Sequence, residues 1–259
     1  MRKLYILFFN ITLLFIACTA KAQDYPKNFY KQISSYDLST LWRSDKLYRP
    51  DDDSTKDVDF PEPLGYIDGV ERQRFYIHYL SVWKDKTNSY LYHVTGKTRI
   101  KNDVLKFNGT ILVQKASYDP SLYFDDKYML GDVVCQVELH QDSAVHAAGL
   151  IKGKLTSRWL IDRKNKIHYN ALGKNQDNFS NNQFTGRWNS YFAYFTKKCV
   201  WGDFRVPDSD GLDLGASEFM VSDDYVKHGW ETYMKVMGGN DNSDPYKTAV
   251  AEESRKWWE

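Results

Sequence analysis

The amino-acid sequence predicts a mainly β protein, an antiparallel up-and-down barrel of about eight strands followed by short C-terminal helices. Three observations carry this. From Val70 to Val206 apolar and polar residues alternate with a period of two, as in strands that bury one face. Turn-like clusters interrupt the alternation and leave the same face apolar on either side. After Ser222 the period becomes helical. Consecutive hairpins of this number close most naturally into a barrel, with a two-sheet sandwich as the alternative.

The N-terminal residues read as an export signal. Arg2 and Lys3 precede an apolar run, Leu4 to Ala17, and Ala20-Lys21-Ala22 offers a small-x-small cleavage site, so the mature chain is expected to begin at Gln23 in the periplasm or outside the cell. A lipoprotein acylated at Cys18 is the alternative, although Phe15-Ile16-Ala17-Cys18 lacks the usual Leu three residues before the cysteine. No later stretch approaches 18 unbroken apolar residues, so no membrane-spanning helix is expected in the mature chain. Loss of residues 1–22 removes Arg2, Lys3 and Lys21 and no acid, leaving 32 basic against 34 acidic residues. That balance gives no electrostatic case for nucleic acid as a partner.

Residues 23–63 form an aromatic lead with a short helix expected around Leu38 to Trp42, then a loop from Arg49 to Pro63 with five Asp and three Pro. The loop lacks the Gly and terminal Glu of an EF-hand. Residues 64–206 are assigned to the barrel, and 207–259 to a loop and two helices packed on it.

The hairpins can be paired by counting. Around Asp85-Lys86, Ile77 falls opposite Val94 and Tyr79 opposite Tyr92. Around Asn102-Asp103, Ile100 faces Leu105 and Thr98 faces Phe107. Around Gln141-Asp142-Ser143, Leu139 faces Val145 and Val133 faces Ile151, with Asp132–Lys152 and Glu138–His146 on the other face. Around Arg163-Lys164-Asn165, Ile161 faces Ile167 and Trp159 faces Tyr169. Runs from Gln183 to Phe192 and from Phe195 to Val206 complete the set. The interior face then collects Phe75, Tyr79, Tyr90, Tyr92, Phe107, Trp159 and Tyr169. Strand glycines recur in Val94-Thr-Gly-Lys, Phe107-Asn-Gly-Thr, Ile151-Lys-Gly-Lys and Phe184-Thr-Gly-Arg. They mark bends or close approach. Gly96 is placed opposite Phe75 and Gly109, where a ring would cover it, and Gly131 opposite Gly153. Beyond them, Ser222 is the expected cap of a helix with Val226, Trp230, Met234 and Met237 on one stripe, stopped by Gly238-Gly239. Asp244-Pro245 starts a second, running toward Trp257-Trp258.

Nucleophile-elbow, Walker and HExxH motifs are absent from the sequence, and neither a cofactor nor a metal is expected. Cys135 and Cys199, the two cysteines after residue 22, are expected to form a disulfide in an exported chain. His78 and His93 become neighbours on the outer face of the first hairpin, read as a solvent-side pair. Arg72, Arg74, Lys97, Arg99 and Lys106 line up on that outer face, a candidate dock for an anionic partner. In Cys199 to Val206, alternation puts Cys199, Trp201, Asp203 and Arg205 on one face and Val200, Phe204 and Val206 on the other. If the first set points inward, Asp203 and Arg205 must be paired, and with Trp159, Tyr169, Trp188 and Trp201 they are candidates to orient a ligand. Asp208, Asp210 and Asp213 resemble a calcium loop without its distal Glu and read better as a turn.

The run Asn181-Asn182-Gln183-Phe184-Thr185-Gly186-Arg187-Trp188, the segment Cys199-Val-Trp-Gly-Asp-Phe-Arg-Val-Pro207, Leu212-Asp213-Leu214-Gly215 and Gly229-Trp230 together resemble an uncharacterised family of bacterial secreted β-rich proteins, over roughly residues 64–233. The resemblance implies export and a shared fold, and brings no catalytic residues. Separately, the meander is similar to the lipocalin and avidin group, and Phe184-Thr-Gly-Arg-Trp188 to their G-x-W strand. Here that strand lies late in the chain, which limits the likeness to the fold. The leading functional expectation is a non-enzymatic envelope protein that binds a small apolar or sugar-like ligand in a barrel mouth or cavity. The alternatives are a hydrolase using Asp203, Glu218 or nearby acids, and a protein-interaction module using the basic face or the terminal Trp pair.

Overall fold

A computed structural model describes residues 27–49, 58–120, 127–239 and 241–259. The expected signal segment, Cys18 and the centre of the Asp-rich loop lie outside the described residues. Among those described, eleven strands form one antiparallel sheet: β1 (Lys27–Asn28), β2 (Leu64–Ile67), β3 (Gln73–Arg74), β4 (Tyr76–Lys84), β5 (Leu91–Ile100), β6 (Asp103–Tyr118), β7 (Met129–Gln141), β8 (Gly149–Ile161), β9 (Ile167–Tyr169), β10 (Asn181–Ser190) and β11 (Thr196–Asp203). The helices are α1 (Tyr30–Ile33), α2 (Ser39–Trp42), α3 (Asp223–Val226), α4 (Glu231–Met237) and α5 (Asp244–Glu253). Strand order is β3-β2-β11-β10-β8-β7-β6-β5-β4, with β1 on β6 and β9 on β8. The first and last strands of that order, β3 and β4, are separated only by Phe75. The sheet therefore curls into a half-barrel whose two edges are consecutive stretches of one extended segment.

The mainly antiparallel architecture and the C-terminal helices match the expectation, but the first three hairpin registers do not. Ile77 lies opposite Thr98, Tyr79 opposite Gly96, Thr98 opposite Leu105 and Leu139 opposite Ile151. Asp132 meets Arg158 and Glu138 meets Lys152, while Gly96 sits between Tyr79 and Phe107 and Gly131 between Tyr118 and Trp159. Away from the bulge between Tyr79 and Ser81, each register is displaced by an even number of residues, which slides the strand and leaves its side chains on their faces; beyond that bulge the parity of β4 changes. The turns cause the slides. At the first, the Asp85 carboxylate accepts from the Thr87 and Asn88 amides and holds a wider loop than the two residues counted. The Trp159–Tyr169 and Ile161–Ile167 pairs stand as counted. His78 and His93 are not neighbours, because His78 pairs across to Lys97 and His93 to Trp83.

The strand glycines make room for rings. Gly153 lies opposite Gly186, and the Phe184 ring covers both; a Cβ on Gly153 would stand 2.5 Å from Phe184 Cζ and 2.3 Å from the Thr185 carbonyl oxygen. Phe107 covers Gly96 in the same way, so the expected ring is present but is a different one.

The interior is filled by inward strand residues and by the N-terminal lead, which threads into the half-barrel. Phe29, Ile33, Leu38, Leu41 and Trp42 are all buried in the main core. Burying such side chains stabilises by about 2 kcal/mol each. Their polar atoms are matched from the strands: Trp42 Nε1 donates to Ser157 Oγ (2.9 Å), and Tyr92 Oη accepts from the Leu38 amide (3.0 Å). A second core forms outside the sheet, where Tyr66 and Val200 meet Leu212, Phe219, Val221 and Trp230. Strand β11 is thus buried on both faces, Cys199 and Trp201 inside and Val200 outside.

The helix expected from Ser222 is broken in two at Gly229 (φ 92°). The break lets the His228 carbonyl accept from the Arg74 amide (2.9 Å) and from Gln73 Nε2 (2.8 Å), covering the open edge of β3. The helix from Asp244 begins as expected, with Ser243 Oγ accepting from the Tyr246 amide, and it ends at Glu253. No helix among the described residues is long and apolar enough to cross a membrane.

Cys135 and Cys199 are free thiols, which corrects the expected disulfide. They sit on β7 and β11, with β8 and β10 between. Each has its own cross-strand partner, Leu155 and Gly186. Burial pushes both thiols well above the ordinary range, so neither is an active nucleophile. Melting temperatures with and without a reductant will therefore coincide. A disulfide across that loop would contribute roughly 4 kcal/mol and would separate the two curves.

Candidate functional site

The half-barrel is open on the flank where β4 leaves β2, and a cavity of about 810 Å³ enters there. Its floor is formed by Trp42, Tyr79, Leu155, Asn182, Trp201 and Asp203. Residues 43–46 and 59–64 form one side of the mouth, and the C-terminal residues 252–259 cover the other.

Two local features aim polar groups into this floor. The β10–β11 pairing is irregular between Asn181 and Phe184, and Asn182 takes φ 47°, a conformation that Asn tolerates. Asn181 Oδ1 accepts from the Arg158 amide (2.7 Å) and so stands in for the interrupted ladder. Asn182 is thereby turned inward, donating from Nδ2 to the Leu41 carbonyl (2.9 Å) and to Asp203 Oδ2 (2.7 Å). On the facing strand the chain reverses directly after Asp203. Phe204 has φ 66° and the Arg205 amide donates to the Asp203 carbonyl (2.8 Å). A bulky residue at positive φ stores strain that the surrounding packing must hold.

That reversal corrects the expected Asp203–Arg205 pair. Arg205 is thrown to the outside, where it pairs with Asp213 (2.6 Å) and donates to the Gly215 carbonyl (2.9 Å). Asp213 also accepts from the Gly215 and Met220 amides, the role of a turn residue. Asp203 stays inside, fully buried. Burial raises its pKa well above the ordinary carboxyl range, Glu62 at the mouth raises it further, and the hydrogen bond from Asn182 and the nearby Tyr169 hydroxyl oppose the rise.

Several buried polar atoms of this region have no hydrogen-bond partner: Asp203 Oδ1, Asn182 Oδ1, Tyr79 Oη and Tyr169 Oη. Tyr169 and Asp203 are close enough to perturb each other's ionisation, without a well-formed hydrogen bond between the Tyr169 hydroxyl and Oδ1. Burial drives both tyrosines upward, so their hydroxyls remain protonated. Two hydroxyl donors, an amide oxygen and a carboxyl therefore lie buried at or just behind the floor, close to the flat ring of Trp201, which stacks on Phe184 at 3.6 Å. An unpaired buried polar atom costs about 1–3 kcal/mol, so such a cluster is retained at the expense of stability.

Of the ligand candidates from the sequence, Trp201 and Asp203 line the cavity and Tyr169 adjoins it. Trp159 is stacked on Phe29 in the core (5.2 Å), Trp188 donates to Gln141 Oε1 (2.8 Å) near the far end, and Arg205 lies outside. Sequence reasoning missed Asn182 and Tyr79 as site residues. The Asn181-Asn182 doublet was the available signal for Asn182, since a pair of Asn inside a strand marks an irregularity.

On the outer face, Arg74 makes a two-pronged pair with Glu253 (2.7 and 2.6 Å) and Arg99 pairs with Glu252 (2.8 Å). Arg72 donates to the Asp208 and Asp210 carbonyls, while Lys97 lies opposite Lys106. His78 is buried, with Nδ1 at 2.9 Å from both Glu62 carboxylate oxygens and its ring stacked on Trp258 at 3.8 Å. Comparison with protein-family models, with curated proteins and with solved structures finds no match to this chain.

Proposed function

We propose that this chain is an exported, non-enzymatic binding protein that takes a small sugar-like ligand in the flank cavity. One observation carries this: three buried polar atoms without partners belong to Asp203, Asn182 and Tyr79 on the cavity floor beside Trp201, and a fourth, on Tyr169, adjoins them. Ring hydroxyls of a neutral sugar both donate and accept, which suits an amide oxygen, two phenols and a carboxyl. The flat face of a sugar suits an indole. No Lys or Arg stands on the floor, which disfavours an anionic ligand there. Saturation-transfer NMR with a panel of neutral mono- and disaccharides will detect binding, and Asn182→Leu will weaken it at least tenfold. If the panel fails and only apolar probes bind, insensitive to Asn182→Leu, the ligand class is wrong.

A second reading, a hydrolase, is favoured by one feature. Asp203 and Glu62 face the same cavity in unlike surroundings, one fully buried and one at the mouth beside His78, the pattern of an acid–base pair. Glu218 and Asp213 do not line it. Release of nitrophenol from a chromogenic glycoside, abolished by Glu62→Gln, would move the assignment to this reading.

A further inference from the structure

The basic and aromatic outer face that the sequence leaves without a counter-charge is occupied by the chain's own C-terminus. Glu252 and Glu253 sit on Arg99 and Arg74, whose guanidinium groups also lie over the Tyr76 ring at 3.9 and 4.4 Å. Trp258 stacks on His78, and Trp257 meets Tyr76 edge-on at 5.8 Å. Residues 252–259 are at the same time the covering wall of the cavity mouth.

This segment is attached differently from the rest of the fold. Within α5 only Ala249 is buried; the helix packs along α4, whose Thr232 Oγ1 donates to Glu253, and its hold on the sheet's outer face is by ion pairs and ring contacts. It is joined to α4 through Gly238 and Gly239, the latter at φ 95°. Segments with few buried apolar contacts open at lower free energy than the core. A glycine pair at the junction gives the backbone freedom to swing.

We propose that α5 and residues 254–259 form a latch over the cavity, and that its release from Arg74, Arg99 and His78 admits a ligand to the floor at Asp203. The face fits an acidic segment that carries tryptophan, and the tail is that segment held in cis. The latch rests on reading the cavity as a binding site, but its test uses no ligand and so stands apart from that reading.

Leu155 lines the cavity floor, whereas neither native cysteine does. With Cys135→Ala and Cys199→Ala to exclude pairing with the native thiols, Leu155→Cys reports access through reaction with methyl methanethiosulfonate. Its rate is compared in the full chain, with Glu252→Gln and Glu253→Gln together, and in a chain ending at Ala251. The expected result is at least a tenfold faster reaction in both released forms. In parallel chains that keep Cys135 and Cys199, those two thiols should remain unreactive. A reporter that reacts no faster after release overturns the latch, as does equal acceleration of the native thiols, which would mean general loosening. Tyr79→Cys reports from the same cavity if Leu155→Cys does not fold.

Discussion

Gly153→Val will destabilise the protein by about 3 kcal/mol or more, and in a chain of ordinary stability will leave it largely unfolded at 37 °C. The cause is geometric. Gly153 and Gly186 face each other on β8 and β10, and a Cβ on Gly153 would stand 2.3 Å from the Thr185 carbonyl oxygen and 2.6 Å from Gly186 Cα. Both of those contacts are backbone, which cannot swing away as a side-chain end can. The Phe184 ring would also be displaced from its stack on Trp201, and with it the wall of the cavity. Gly69→Ala is the control, because its Cβ would meet nothing nearer than Lys198 Cβ at 3.9 Å. It should change stability by no more than about 0.5 kcal/mol. Urea unfolding of the two variants measures the contrast, and equal midpoints would refute the ring-over-glycine explanation.

Asp203→Asn will raise the melting temperature at pH 8 and leave it nearly unchanged at pH 4. The folded pKa of Asp203 is raised above its unfolded value by burial. Below the unfolded value, about 3.9, both states are protonated and the carboxyl carries no penalty. As pH rises, the unfolded chain ionises first, and stability falls by about 1.4 kcal/mol per pH unit until the folded pKa is reached. Asn keeps an oxygen that can accept from Asn182 Nδ2 and does not titrate, so the gain should grow steadily with pH. Melting curves of both proteins from pH 4 to pH 8 test this. A difference that stays constant with pH would place the effect in packing and would mean that Asp203 is ionised in the fold.

Both effects belong to the part of the molecule that sequence patterning reaches least. Alternation identified most of the inner face: Phe75, Tyr79, Tyr92, Phe107, Trp159 and Tyr169 are buried, and Tyr90 is half-buried against the same core. Side-chain parity survives any even slide of a strand, so the face was legible even where the register was not. Turn widths set the register, and they depend on local hydrogen bonds such as those of Asp85, which alternation does not encode. The candidate site was legible in Trp201, Asp203 and the adjoining Tyr169, but not in Asn182 or Tyr79. Arg205 was misplaced because a single positive φ at Phe204 reverses the alternation, and nothing about phenylalanine announces such a strain.

By itself, then, the sequence determined the antiparallel β class, the apolar face and the start of the last helix. All of these follow from periodicities and steric rules acting within a few residues. Tertiary structure decided that the cysteines stay apart, that the lead fills the interior and that the tail neutralises Arg74 and Arg99. It also decided that Asn182, Tyr79 and Asp203 share one cavity. Each of these joins residues distant in the chain, and their meeting depends on how far the sheet curls, a property of all its strands together.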